Sequence, residues 1–174
     1  MYPLSTYPSP AHQASESIAD AMFFCGRSWM AEAWAKTKAR VWTYRYNTPN
    51  PTSPYYEIPG DVQHAAENWV MFKGVNTGNN GTFEFMSLNS TLTAFSHELF
   101  DYWLSFVRSK DPNVHRTNGA PVWAPHTMDR ARIVLEDGVE VNGTYVSGCF
   151  METETVREKE RCDFIWRMME KGMN

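Results

Sequence analysis

The sequence predicts an α/β fold, and three observations carry that expectation. A run of β-branched and aromatic residues at 39–46 follows two helical stretches; an amphipathic helix occupies 90–108; and two strand-like runs at 132–136 and 139–146 precede a last helix. The 174 residues, 43% hydrophobic and 14% aromatic, suffice for one domain or a compact piece of a larger one, and exclude a disordered tail.

Taken in order, residues 1–14 contain Pro3, Pro8 and Pro10 and read as a connecting segment. From Ser15 the pattern turns helical, with Ile18, Ala21, Met22 and Cys25 recurring at three and four residues. Gly26 marks a break, and a second helix follows over 28–38 with Trp29, Ala33 and Trp34 on its buried side. Few polar residues interrupt Val41, Trp42, Thr43, Tyr44 and Tyr46, so this strand is expected at the centre of a sheet with both faces covered. A proline-rich loop over 47–61 ends in Pro59-Gly60-Asp61, and His64 then opens a short apolar turn holding Trp69, Val70 and Phe72. Residues 73–82, rich in Gly and Asn, read as a surface loop.

The clearest element is the helix over 90–108. Leu92, Phe95, Leu99, Tyr102, Trp103 and Phe106 form one stripe at the helical period, and Asp111-Pro112 stops it. The runs 132–136 and 139–146 form two strands turned at Asp137-Gly138. A mixed-charge helix over 152–171 closes the chain, with Val156, Cys162, Ile165, Trp166 and Met169 turned inward.

Charge and hydropathy remove two classes of partner. A net charge of −4 without any basic block argues against nucleic acid. The longest apolar run, Ala21-Met-Phe-Phe-Cys25, is far shorter than the ~20 residues that cross a bilayer, so no membrane span is expected. The first residues carry no signal peptide pattern. Three cysteines, Cys25, Cys149 and Cys162, leave one thiol over if two are bridged. Asn80, Asn89 and Asn142 each head a glycosylation triplet, of which chance alone supplies about one or two.

Candidate chemistry is sparse. His97-Glu-Leu-Phe-Asp101 imitates a zinc helix, but its face lies opposite the apolar stripe and no third ligand is near, so no metal is expected. His12, His115 and His126 sit in loops and read as solvated side chains. His64 differs, because it follows a strand on a loop, where α/β folds place reactive groups. No nucleophile stands out: Gly26-Arg27-Ser28-Trp29-Met30 lacks the closing glycine of a nucleophile elbow and lies between helices. No phosphate loop, dinucleotide fingerprint or Cys-x-x-Cys pair is present, so no cofactor is expected.

Five segments in order resemble the C-terminal third of type-B carboxylesterases and lipases, the α/β-hydrolase branch that includes cholinesterases and many fungal esterases. Asp20-Ala-Met-Phe-Phe-Cys25 is similar to the family's Asp-x-x-x-x-Cys helix, and Arg40-Val-Trp-Thr-Tyr-Arg-Tyr46 to its Val-Tyr-x-Tyr-x-Phe strand. Val62-Gln-His-Ala-Ala-Glu67 is similar to Val-x-His-x-x-Glu. Tyr102-Trp-Leu-Ser-Phe-Val-Arg108, Asp111-Pro-Asn113 and Pro121-Val-Trp123 resemble Tyr-Trp-x-x-Phe-x-Arg, Asp-Pro-Asn and Pro-x-Trp-Pro. Arg161-Cys-Asp-Phe164 is similar to the closing Cys-x-Phe-Trp.

The resemblance implies the C-terminal portion of an α/β-hydrolase fold, an incomplete sheet with packed helices, over residues 1–174. It implies that His64 is the triad base, that Glu67 has a positioning role beside it, and that Cys25 and Cys162 form a disulfide. Such a bridge closes a long loop, worth roughly 5 kcal/mol in chain-entropy terms. It also implies a secreted parent acting on a carboxylic ester, with the nucleophile, the acid and the oxyanion donors in a missing N-terminal part. Ala65 replaces a frequent glycine and Ala124 a proline. The chain alone is then expected to be inactive, and its uncovered sheet edge and aromatics prone to aggregate. Two alternatives remain: a non-catalytic cholinesterase-like module for binding or adhesion, and a free-standing α/β domain with reduced cysteines.

Overall fold

The computed structural model describes residues 1–49, 62, 64–73, 87–127 and 129–172. They divide into two compact units, one of Met1–Thr43, Pro125–Arg132 and Thr153–Asn174, the other of Tyr44–Ala124 and Ile133–Glu152.

The first unit is helical. After a 3₁₀ turn at Leu4–Thr6, helix α1 spans Pro10–Ala19, a π-helical turn spans Asp20–Phe24, and α2 spans Cys25–Ala35. Residues 10–14, expected to be connecting chain, are helical for a local reason. Ser9 caps the helix by accepting from the His12 N–H, and Pro10 takes the first helical position, where its missing N–H costs nothing. Gly26 does not break the helix, because a single interior glycine weakens a helix without ending it. The irregularity comes earlier, where the Cys25 N–H bonds to the Asp20 carbonyl, five residues back.

The buried side of this long helix carries Asp20, Cys25, Ser28 and Ala31. Ala33 and Trp34, expected on the buried side, are exposed, as are Ile18 and Met22. Helix α5 spans Val156–Gly172 and starts later than the sequence predicts. Thr155 and Glu158 form a capping box, the Glu158 N–H bonding to Thr155 Oγ1 and the Thr155 N–H to Glu158 Oε2. Among the residues expected inward on α5, Cys162 is buried, whereas Val156, Trp166 and Met169 are exposed. A disulfide joins Cys25 to Cys162 across 137 residues, with Cα atoms 5.1 Å apart.

The second unit carries the sheet. Strands β1 (Tyr44–Tyr46), β2 (Ala131–Leu135) and β5 (Phe150–Thr153) lie in the order β1-β2-β5. β1 and β2 are parallel, with Tyr44 opposite Ile133, Arg45 opposite Val134 and Tyr46 opposite Leu135. β1, expected at the centre of a sheet, is therefore an edge strand among the described residues. β2 is buried from Arg132 onward, as a two-sided strand should be.

Helices α3 (Ala66–Met71) and α4 (Ser90–Ser109) pack together in this unit. Asn89 caps α4 by accepting from the Leu92 N–H at 2.8 Å, and Lys110, in the left-handed region, ends it before Pro112. The buried face of α4 includes Phe95, Leu99 and Tyr102, as the stripe predicts, but also Ser96, Glu98 and Ser105; Phe106 faces out.

Residues 139–146 form a hairpin and not one strand: β3 (Val139–Val141) pairs antiparallel with β4 (Thr144–Val146). The turn is Asn142-Gly143, where both residues have positive φ, as a tight hairpin of native twist requires. Asp137-Gly138 is not the turn. A Cβ at Gly138 would stand 1.9 Å from the Val146 carbonyl oxygen, so glycine there admits the close approach of a neighbouring backbone.

Candidate functional site

His64 lies in the second unit, exposed, on the turn that leads into α3. The turn is held from below: Ala66, Trp69 and Val70 of α3 are buried. Ala65, between the histidine and the helix, adopts φ 65° and ψ 18°, a left-handed conformation that favours glycine. The glycine frequent at this place in the resembling family thus has a conformational reason, and Ala65 adopts the same region at some cost.

Glu67 occupies the first turn of α3, half-buried. Burial above all, and then the Glu67 carboxylate, push the Tyr44 phenol up. Burial does the same to Tyr46, and the Glu67 charge adds to it. Glu67, three residues beyond His64, therefore lies close enough to the phenols of β1 for its charge to act on both. These aromatics belong to a wider cluster in which Tyr44 meets Trp103 and Trp123 edge to face, at 5.3 and 6.2 Å between centroids.

The other histidines behave differently from one another. His126, expected in solvent, is buried in the first unit. Its backbone N–H bonds to the Val41 carbonyl at 2.6 Å, and its ring Nδ1 lies 3.3 Å from Thr43 Oγ1. Burial pushes its pKa down, against the pull of Glu154 and with the help of Arg27. His12 Nδ1 lies 2.8 Å from Ser9 Oγ at the start of α1. His97 is exposed, and Asp101, its partner in the zinc-like spacing, accepts a hydrogen bond from Thr117 Oγ1 at 2.6 Å. Among the described residues no three His, Cys, Asp or Glu side chains gather around a metal position.

Two buried carboxylates escaped the sequence reading. In the first unit Glu154, whose side chain is 1% exposed, accepts from Arg27 at 2.5 Å, from Arg130 at 3.3 Å and from Ser28. Arg130 also reaches Glu32 at 2.5 Å, and Arg132 reaches Glu158 at 2.6 Å. Burial alone would raise the Glu158 carboxyl; the Arg132 and Thr155 hydrogen bonds outweigh it and hold the pKa low. Ser28, the serine of the failed elbow, is thus engaged inside a helix by a carboxylate and by the Phe24 carbonyl. In the second unit Glu98 accepts from Tyr145 at 3.1 Å and from Ser147 at 2.7 Å. Burial, and next the Glu98 charge, push the neighbouring Cys149 thiol up to about 12, so it is no nucleophile at neutral pH. No spacing rule could have shown these groups, since Arg27 and Glu154 stand 127 residues apart.

Of the glycosylation triplets, Asn89 is exposed at the start of α4 and Asn142 is exposed at the hairpin tip; Asn80 lies outside the described residues. Cys25 and Cys162 are in the first unit, His64 and Glu67 in the second.

The structure thus presents His64 on a packed turn that follows a parallel strand, three residues before Glu67. Comparison with known proteins supplies its context. The structure resembles the crystal structure of Aspergillus niger EstA with a TM-score of 0.68 and 23% identity, over 96% of this chain and 31% of that one. The two share a fold, and this chain spans about a third of that protein's length. The sequence pattern of the carboxylesterase family matches residues 4–164, nearly the whole chain. The chain belongs to the carboxylesterase family.

Proposed function

We propose that this chain is the C-terminal part of a secreted serine hydrolase of carboxylic esters, an esterase or lipase, and that His64 is its general base. The observation that supports this best is the placement of His64: exposed, yet held by a turn whose next residues, Ala66, Trp69 and Val70, are buried. A base that must take a proton and return it needs access to substrate together with a fixed position.

In the proposed reaction a serine hydroxyl attacks the ester carbonyl while His64 takes its proton. The same imidazolium then protonates the departing alcohol, and a second cycle with water releases the acid. Glu67 has a positioning role next to the histidine. The serine, the acid that orients His64 and the oxyanion donors belong to the part of the domain beyond this third. Alone, the chain does not form an acyl-enzyme. Asn80, Asn89 and Asn142 are the proposed glycan sites of the secreted product.

The test is His64→Gln in the longest product of the gene. We expect the rate on an aryl ester to fall by about 10⁴-fold or more, the scale for loss of a triad member. Unchanged ester cleavage would remove His64 from the mechanism.

A further inference from the structure

The hairpin of β3 and β4 is a sheet of its own, and a two-stranded ribbon is marginally stable unless its faces are covered. Its side chains alternate between two faces. One face turns toward α4. Tyr145 donates to the buried Glu98 at 3.1 Å, and Ser90 donates at 3.3 Å to Glu140, the residue paired with Tyr145. The pairs Val139–Val146 and Val141–Thr144 take the opposite face. That face lies open: Val139 is 60% exposed, Val141 49% and Val146 47%, and Thr144 is exposed as well. Single exposed apolar side chains are ordinary, but three valines on one face of so small a ribbon leave it without a core side there.

The turn that closes the ribbon carries a possible cover within the chain's own chemistry. Asn142 and Gly143 have φ 51° and 75°, the tight reversal that sets Val141 beside Thr144. The same residues spell the acceptor triplet Asn142-Gly143-Thr144, exposed throughout. A sugar joined to Asn142 therefore leaves the chain next to the pair of side chains that ends the open face.

We propose that Asn142 is glycosylated and that the first sugar of its glycan packs over Val141 and Thr144, as the outer cover of the hairpin. The proposal rests on the reading of the parent as a secreted product, and adds to it a structural role for one glycan. In the transfer, Asn142 Nδ2 bonds to the anomeric carbon of a lipid-linked oligosaccharide. The bond from that carbon to the diphosphate oxygen breaks, and the amide proton is lost as the lipid diphosphate leaves. A sugar ring carries C–H groups on its faces, which suit the Val141 methyls. Covering about 40 Å² of apolar surface corresponds to roughly a fivefold shift in the opening equilibrium of the hairpin.

The test takes the longest product of the gene, expressed for secretion in a eukaryotic host. Peptide mass spectrometry reads the occupancy of Asn142, and amide exchange reads the hairpin. Thr144→Val removes the triplet while keeping the Asn142-Gly143 turn and a β-branched side chain in the strand. We expect Asn142 to be occupied, and the amides of 139–146 to exchange about fivefold faster in Thr144→Val while those of α4 are unchanged. Trimming the glycan to its first sugar with an endoglycosidase should leave the protection in place. In a Val141→Ser background, glycosylated and unglycosylated hairpins should exchange alike. A bare Asn142 would overturn the proposal: with ester cleavage in the medium the esterase reading stands, and without it both fall. An occupied Asn142 whose protection is absent, is lost on trimming to one sugar, or survives Val141→Ser would overturn the packing role.

Discussion

The first unit buries Asp20, His126, Arg132, Glu154 and Arg161, and its long-range ties are ion pairs and a disulfide. The second buries Phe95, Leu99, Tyr102, Ile133, Val134 and Leu135, with Glu98 as its one fully buried charge among the described residues. Charged interiors depend on every partner remaining in place and in its ionic state, because removing one partner leaves the other charge buried and uncompensated. Apolar interiors respond to volume and are indifferent to pH and redox state. His64 stands on the second kind of support. Its turn is anchored by Ala66, Trp69 and Val70, none of which titrates.

The largest effect expected from breaking this contrast is loss of the disulfide. Replacing Cys25 and Cys162 by serine frees a loop of 137 residues and should cost roughly 5 kcal/mol, read from the urea midpoint. Amide exchange should rise first in α1, α2 and α5, while α4 and β2 keep their protection. Equal loss of protection in α4 would show that the two interiors are not separately sensitive.

Next come single changes of each kind. Glu154→Gln strands Arg27 and leaves Arg130 with Glu32 alone, and should cost about 3–5 kcal/mol. Leu99→Ala, at a fully buried position, should cost about 3 kcal/mol by transfer and cavity. The two are separable by pH: the Leu99→Ala loss should be the same in mild acid as at neutrality.

His126 supplies a smaller and strictly directional effect. The fold holds it below its ordinary pKa of 6.5, by burial first and by Arg27, against Glu154 and Glu32, which pull it up. The neutral form is therefore the native one. Stability is whole above 6.5 and is lost as pH falls from there toward the native pKa, because the unfolded chain takes up the proton first. His126→Gln should flatten the urea midpoint across that window. A slope unchanged by the substitution would assign the pH dependence to other groups.

The contrast between the units also explains what the sequence could and could not convey. α4 was legible to within a residue because an apolar stripe at the helical period, a cap at Asn89 and a stop at Pro112 all agree. Pro10 misled because proline both breaks a helix interior and opens a helix, and only Ser9 before it tells which. The hairpin was misread at Asp137-Gly138, although Asn142-Gly143 carries the stronger turn signal. β5 went unseen because four residues are too few to show a period beside a mixed-charge helix. The Glu154 cluster was invisible in principle, since its members are joined by the fold and by no local pattern. His64 stood out by its setting and then by five segments in a family order; its exposure and the left-handed residue after it belong to the structure.

That left-handed residue gives the smallest and most local prediction. A non-glycine residue in this region costs of order 1 kcal/mol, and glycine gives part of that back through its greater freedom in the unfolded chain. Ala65→Gly should therefore stabilise the protein by about 0.5 kcal/mol, seen as a slight rise in the urea midpoint. Because Ala65 joins the exposed histidine to buried α3, the relief is confined to the turn and should not alter protection in α1, α2 or α5. A loss of stability would mean that the Ala65 methyl packs well enough to outweigh the strain of its backbone. The alanine would then be a positive fixture of the turn that presents His64, and no compromise.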